Sequence, residues 1–118
     1  MKQNQTSRRL AESAQQKLAT ILLFEISDPR LEFVTVTDCE VSVDRSLCRA
    51  YVSCEPDRYD EVLKALEGAK GKIRSLLGSS LGWRVTPELI FAIDRSADEA
   101  ARISRALQDV PPSMLRAD

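Results

Sequence analysis

Two stretches of the chain repeat apolar residues at the three- and four-residue spacing of an amphipathic helix. Such a pattern predicts helices that bury one face. The first helix is expected over residues 7–25, with Thr6 or Ser7 as its cap and Asp28-Pro29 as its end. Its apolar stripe consists of Leu10, Ala14, Leu18, Ile21 and Leu22. The second is expected over residues 60–81, with a stripe of Val62, Leu63, Leu66, Ala69, Ile73, Leu76, Leu77 and Leu81.

Between these helices the period changes to two, which predicts strands. Residues 33–43 form the first, residues 47–54 return as the second arm of a hairpin, and residues 89–93 form the third. In the first strand, one face is expected to carry Phe33, Thr35, Thr37, Cys39, Val41 and Val43, and the other Val34, Val36, Asp38, Glu40 and Ser42. A last helix is predicted to begin at a capping box of Ser96 and Glu99 and to end before Pro111-Pro112.

The order of these elements predicts an α+β sandwich in which the helices cover one face of a three-stranded sheet. The chain is long enough for one domain, which we expect over residues 1–110, followed by a short tail over residues 111–118. No run of apolar residues is long enough to span a membrane, and from the polar start we expect no signal peptide.

Two glycines interrupt the second helical pattern, in the sequence Gly68-Ala69-Lys70-Gly71. Glycine inside a helix costs roughly 1 kcal/mol relative to alanine, so the sequence predicts either a break between two half-helices or a close approach of another group to the backbone. Its basic flank consists of Lys64, Lys70, Lys72, Arg74 and Arg84. A bare backbone beside cations suits an RNA phosphate, and Gly-x-x-Gly between helices is the nucleotide clamp of KH domains.

The net charge of −1 hides an uneven distribution of charge along the chain. Residues 1–20 carry four basic and one acidic side chain, and residues 64–84 carry five and one. Residues 21–63 carry four basic and ten acidic side chains. If the fold gathers the cationic segments, which include Arg8 and Arg9, they form a basic face for phosphates; otherwise they are solvated helix faces.

The sequence contains no motif that indicates an enzyme. The chain has no histidine, which excludes histidine-based nucleophile systems and histidine metal sites. Cys39, Cys48 and Cys54 are expected to be buried strand residues, and an odd number of cysteines fits a reducing cytoplasm. The glycine pattern lacks the spacing of a P-loop. We therefore expect neither a cofactor nor a metal.

Aromatic side chains are few, at 5% of the residues. Phe24, Phe33 and Phe91 stand at positions expected to face the core, and Trp83 is expected to pack the end of the second helix onto the sheet. Without an aromatic platform for splayed bases, the chain is expected to recognise folded RNA through shape and phosphates.

The chain resembles ribosome-binding factor A, a family of bacterial assembly factors, over nearly its whole length. The resemblance rests on Ile26-Ser27-Asp28-Pro29-Arg30-Leu31, Val34-Thr35-Val36-Thr37-Asp38, Ala50-Tyr51-Val52-Ser53, Ile73-Arg74-Ser75-Leu76-Leu77-Gly78, Arg84-Val85-Thr86-Pro87-Glu88-Leu89, Asp94-Arg95-Ser96 and Arg102-Ile103. It implies a type II KH-like domain in which Ala-x-Gly at a helix kink, here Ala69-Lys70-Gly71, replaces the glycine clamp. Gly68 then either completes the pattern by coincidence or widens the bend.

The resemblance also implies a function. It implies a non-catalytic, cytoplasmic monomer that binds the free 30S subunit, assists late maturation of 16S rRNA and growth in the cold, and is released with help from an assembly GTPase. RNA contacts are expected at Arg8, Arg9, Ala69, Lys70, Gly71, Lys72, Arg74 and Arg84, and the helix kink at Gly68, Ala69 and Gly71. Two alternatives stay open, a general KH-type binder of single-stranded nucleic acid and a dimeric regulatory module.

Overall fold

The computed structural model describes residues 5–108 and has the predicted α+β architecture. The helices are α1 (Gln5–Phe24), α2 (Tyr59–Leu81) and α3 (Ser96–Gln108). The strands are β1 (Thr35–Val41), β2 (Leu47–Ser53) and β3 (Glu88–Ile93), and short 3-10 turns cover Pro29–Leu31 and Pro56–Arg58. Among residues 5–108, no helix has the length and apolar character needed to cross a membrane.

The three strands form one sheet in the order β1-β2-β3. β1 and β2 are antiparallel, as a hairpin requires, whereas β2 and β3 are parallel because α2 connects them. α1 packs on β1, and α2 packs on β3 and against α1. One hydrophobic core therefore lies between the two helices and one face of the sheet, as predicted.

The predicted stripe of α1 is confirmed, since four of its five residues are buried and Leu10 packs at the edge of the core. The start of this helix differs from the expectation. α1 already includes Gln5, so Thr6 and Ser7 lie inside the helix and are not its cap. Ser7 is instead a buried polar residue of the helix face.

A bulge in β1 makes the predicted division of its two faces wrong. The pairing register with β2 shifts between Val36 and Asp38, so one extra residue occupies β1. As a result Val36 is buried on the same side as Cys39 and Val41. Side chains hold the bulged Thr37 in place: its hydroxyl donates to the Asp94 carboxylate (2.7 Å), and Gln15 Nε2 donates to its carbonyl (3.0 Å).

α3 is tied to the domain at its first turn. The Glu99 amide donates to the Arg95 carbonyl (2.9 Å), so Ser96 is already inside the helix and the predicted Ser96–Glu99 capping box is wrong. Asp94 Oδ1 accepts a hydrogen bond from the Ser96 amide (2.9 Å) just before the helix. Tyr59 donates its hydroxyl to Asp98 (2.6 Å), and the Arg95 guanidinium lies 4.8 Å from the centre of the Tyr59 ring. The predicted end at Pro111-Pro112 and the tail over 111–118 lie outside the described residues.

Candidate nucleic-acid interface

α2 carries the glycine pattern without interruption. It is a single α-helix of 23 residues, so the predicted break into two half-helices is wrong. A bend of the helix axis at Gly68, Ala69 and Gly71 stays a prediction. α2 ends at Gly82, which has the left-handed φ of +65° that glycine adopts without strain.

Gly68 and Gly71 have no packing reason to be glycine. A Cβ atom built on either residue meets nothing within 4 Å beyond its chain neighbours and the backbone of its own helix. The close approach of two chain segments occurs instead at Gly78, where an added Cβ would lie 2.4 Å from Thr86 Oγ1. Gly78 thus serves the fold, whereas Gly68 and Gly71 leave bare backbone on the surface at a cost in helix propensity.

The exposed side of α2 presents small and basic residues in one line. We call this line the glycine stripe; its members are Lys64, Gly68, Gly71, Lys72, Ser75 and Ser79, all exposed. Their spacing of three and four residues places them on one face of the helix. Ala69, the first residue of the Ala-x-Gly motif, is half-buried and packs against the core on the other side.

Two of the predicted phosphate-binding cations already have partners within the protein. Lys70 Nζ forms an ion pair with Glu67 Oε1 (2.9 Å) on the preceding turn. Arg74 donates from Nη2 to the Thr86 carbonyl (2.9 Å) and from Nε to the Pro87 carbonyl (3.0 Å). Arg74 therefore holds the entry to β3 against α2, and an RNA contact at its partly exposed side chain stays a prediction.

Three other predicted cations are exposed. Arg9, Lys72 and Arg84 have neither an ion pair nor a side-chain hydrogen bond to any other residue within 5–108. Arg8 is exposed too, but it lines a groove of about 360 Å³ that also carries Glu12, Asp38 and Glu40.

The fold brings two of the exposed cations, Arg9 and Arg84, toward one end of the sheet. Arg58 donates to the carbonyls of Arg30 (2.8 Å) and Glu32 (3.0 Å), so α2 begins beside the segment that follows α1. Because α1 and α2 pack against each other, the start of α1 and the last turns of α2 lie toward the opposite end. Arg9 and Arg84 belong to that end, whereas Lys72 stands near the middle of α2.

Comparison with known proteins decides the family. The family model of ribosome-binding factor A matches residues 6–107. The chain is also 39% identical over 108 residues to ribosome-binding factor A of Halothermothrix orenii, a match that covers 90% of this chain and 88% of the relative. The chain belongs to the ribosome-binding factor A family.

Solved structures of ribosome-binding factor A share the fold. The crystal structure of the Thermus thermophilus protein matches with a TM-score of 0.67 at 27% identity, covering 76% of this chain and 97% of that one. A homology model of the Thermus thermophilus protein, fitted into a cryo-EM map of its complex with the 30S subunit, matches with a TM-score of 0.63 at 27% identity and the same coverage.

Within this member of the ribosome-binding factor A family, the aromatic residues differ from the expectation. Phe91 is buried and Trp83 packs against the core, as predicted. Phe24 and Phe33 are instead exposed, at 74% and 89% of their surface. The turn before β1 changes the alternation of buried and exposed residues, so Phe33 faces solvent. The spacing of residues in the sequence does not show this change.

The cysteines are part of the packing. Cys39 and Cys48 are buried, and Cys54 is half-buried. Contact with Cys48 and burial both raise the pKa of the Cys39 thiol well above its ordinary value. Within residues 5–108, no group of three or more cysteine and carboxylate side chains is arranged to hold a metal ion.

Proposed function

We propose that this protein binds the free 30S ribosomal subunit and assists late maturation and processing of 16S rRNA. The observation that carries the proposal is membership of the ribosome-binding factor A family, one of whose members was fitted into a map of a 30S complex. In this proposal the protein is a cytoplasmic, monomeric and non-catalytic RNA chaperone that supports growth in the cold, and an assembly GTPase helps to release it.

The glycine stripe of α2 is the proposed contact with rRNA. Exposed glycines let a sugar-phosphate backbone approach the helix more closely than any side chain would permit. Lys72 stands on the stripe, and Arg9 and Arg84 are available at the same end of the domain. Lys70 and Arg74 flank the stripe, and their protein partners hold the cationic groups in place. Contacts to phosphates position such a protein on RNA.

The proposed mechanism is a shift in the population of rRNA conformers. A protein that binds one arrangement of the maturing rRNA better than another favours that arrangement by its differential affinity alone. To move an equilibrium from 1:99 to 99:1, the preferred conformer must be bound about 10⁴-fold more tightly. No chemical step is needed.

Sedimentation of the protein with ribosomal particles tests the proposal. The tagged full chain is expected to migrate with free 30S subunits and to be absent from translating ribosomes. Excess single-stranded oligonucleotide should displace little of it, whereas a general KH-type binder would be displaced. Migration as a free dimer would favour a regulatory module, and absence from the 30S fraction would refute the proposal.

A further inference from the structure

At the end of the domain away from Arg9 and Arg84, an apolar groove lies between the last turns of α1 and the start of β1. Its volume is about 760 Å³. Leu22, Leu31 and Val36 form a buried floor, and Leu23 and Phe33 stand at its exposed rim. Volumes of this size are typical of ligand sites.

An unusual backbone conformation holds Phe33 at the rim of the groove. The Val34 amide donates to the Leu31 carbonyl (3.4 Å), closing a turn in which Glu32 has φ −63° and ψ 137°. Phe33 follows with φ +62°, so the turn is of type II and Phe33 occupies the position that normally requires glycine. A bulky residue with positive φ is strained, and here the strain does not bury the ring.

The charge around the groove is negative. Asp28 and Glu32 line it, Glu25 directly follows α1, and Glu61 belongs to the adjacent first turn of α2. The neighbouring guanidiniums are already paired, Arg30 with Asp28 (2.8 Å) and Arg58 with Glu61 (3.2 Å). Glu25 and Glu32 form no ion pair within residues 5–108. Such a surface repels phosphates and attracts cationic groups.

We propose that this groove is a docking site for a basic amphipathic helix of a partner protein. The apolar floor accepts the apolar face of such a helix, and the carboxylates at the rim accept its arginine or lysine side chains. Phe33 is the anchor that inserts between the turns of the partner. This inference goes beyond the proposed function and does not depend on binding of the 30S subunit.

A synthetic peptide of eighteen residues tests the proposal, with leucine at helical positions i, i+3, i+4 and i+7 and arginine at most others. Fluorescence anisotropy with the full chain is expected to show saturable binding at near-physiological salt. A peptide of identical composition in scrambled order, and one with glutamate in place of arginine, should bind much more weakly. Equal binding of the scrambled or the acidic peptide would overturn the proposal.

The decisive variant is Phe33→Gly, which relieves the strained turn and removes the anchor. It is expected to raise the melting temperature and to weaken peptide binding about tenfold. Arg45→Gly is the matched control, because Arg45 also has a positive φ (63°) but lies in the β1–β2 hairpin. It should raise the melting temperature and leave peptide binding unchanged. Unchanged peptide binding by Phe33→Gly would overturn the proposal.

Further variants separate the other possible occupants of the groove. Leu23→Ser, at an exposed rim position, should weaken peptide binding as Phe33→Gly does. Ile103→Ser with Leu107→Ser removes the apolar residues of α3, and an increased peptide affinity would mean that α3 itself fills the groove. Direct binding of a labelled RNA oligonucleotide that Phe33→Gly weakens would assign the groove to RNA; either result overturns the proposal. Sedimentation of Phe33→Gly with 30S subunits reports separately on the proposed function.

Discussion

Arg74 Nε donates a 3.0 Å hydrogen bond to the carbonyl of Pro87, one residue before β3 begins. A second donor of the same guanidinium reaches the Thr86 carbonyl, and Glu88 Oε1 lies 3.7 Å away. Arg74, which the sequence predicts to be a phosphate ligand, therefore holds α2 against the residues that lead into β3. It remains a candidate RNA contact, because its side chain is 41% exposed.

Replacing Arg74 is expected to destabilise the fold. Arg74→Gln should lower the free energy of unfolding by about 1–2 kcal/mol, because both carbonyls lose a charged donor while partial exposure to water limits the loss. Urea unfolding followed by circular dichroism measures this. Lys72→Gln, two residues away and without a partner within 5–108, should change the free energy of unfolding by less than about 0.5 kcal/mol. Equal stability of both variants would contradict the role of Arg74.

Lys72 and Arg84 are expected to supply salt-dependent affinity for rRNA. Lys72→Glu should weaken binding to 30S subunits and reduce the slope of log affinity against log salt by about 0.7–0.9, the value for one lost phosphate contact. Arg84→Glu should act in the same way. Binding is measured by filter retention across a salt series. Arg45→Glu in the hairpin is the control, and an equal loss from it would indicate general electrostatics.

Gly71 and Gly78 are expected to respond to alanine in opposite directions. Gly71→Ala should stabilise the fold by about 1 kcal/mol, since the new methyl group meets nothing within 4 Å beyond its chain neighbours and the backbone of its own helix, and favours the helix. It should nevertheless weaken 30S binding if RNA approaches this backbone. Gly78→Ala should destabilise by about 1–3 kcal/mol, because its Cβ would lie 2.4 Å from Thr86 Oγ1. Thermal melts and sedimentation measure the two effects; normal 30S binding by Gly71→Ala would place the RNA contact elsewhere.

Asp94 is expected to make stability fall in acid. Hydrogen bonds from Ser96 and Thr37 hold the pKa of Asp94 below its usual value. A carboxylate with a depressed pKa contributes its full stabilisation above the unfolded-state pKa, about 4, and loses it as the pH falls through the folded-state pKa. The difference in stability between wild type and Asp94→Asn should therefore be constant from pH 7 to about pH 5 and shrink below about pH 4. A difference independent of pH would contradict this.

Binding to 30S subunits is expected to be nearly constant between about pH 6 and pH 8, because the chain has no histidine. Asp28 and Asp44 titrate below this range: the bond with Arg30 lowers the pKa of Asp28, and hydrogen bonds from Ser46 and Ser42 lower that of Asp44 to about 2. Filter binding at constant ionic strength checks the prediction. A steep change in this range would contradict the prediction.

The spacing of apolar residues predicted most of the helices and strands, because each of these elements depends mainly on residues that are neighbours in the sequence. The stripe of α1 and the hairpin of β1 and β2 follow from periods of 3.6 and two. The bulge at Thr37 did not follow, because its partners Gln15 and Asp94 are distant in the sequence. Phe33 was misplaced for a different reason, since its left-handed φ in the turn before β1 breaks the alternation that assigned the ring to the core.

For the candidate interface, too, some features follow from the sequence and others only from the tertiary structure. From the sequence alone came the family resemblance, the α+β class and the basic glycine-containing helix. Tertiary structure decided which glycine is structural, which cations are free, and where the exposed aromatic residues lie. Helical spacing shows which residues share a face of α2, but the partners of that face are set by chain segments folded against it. Gly78 faces Thr86 and Arg74 binds Pro87 because β3 returns beside α2, a contact that no local period encodes.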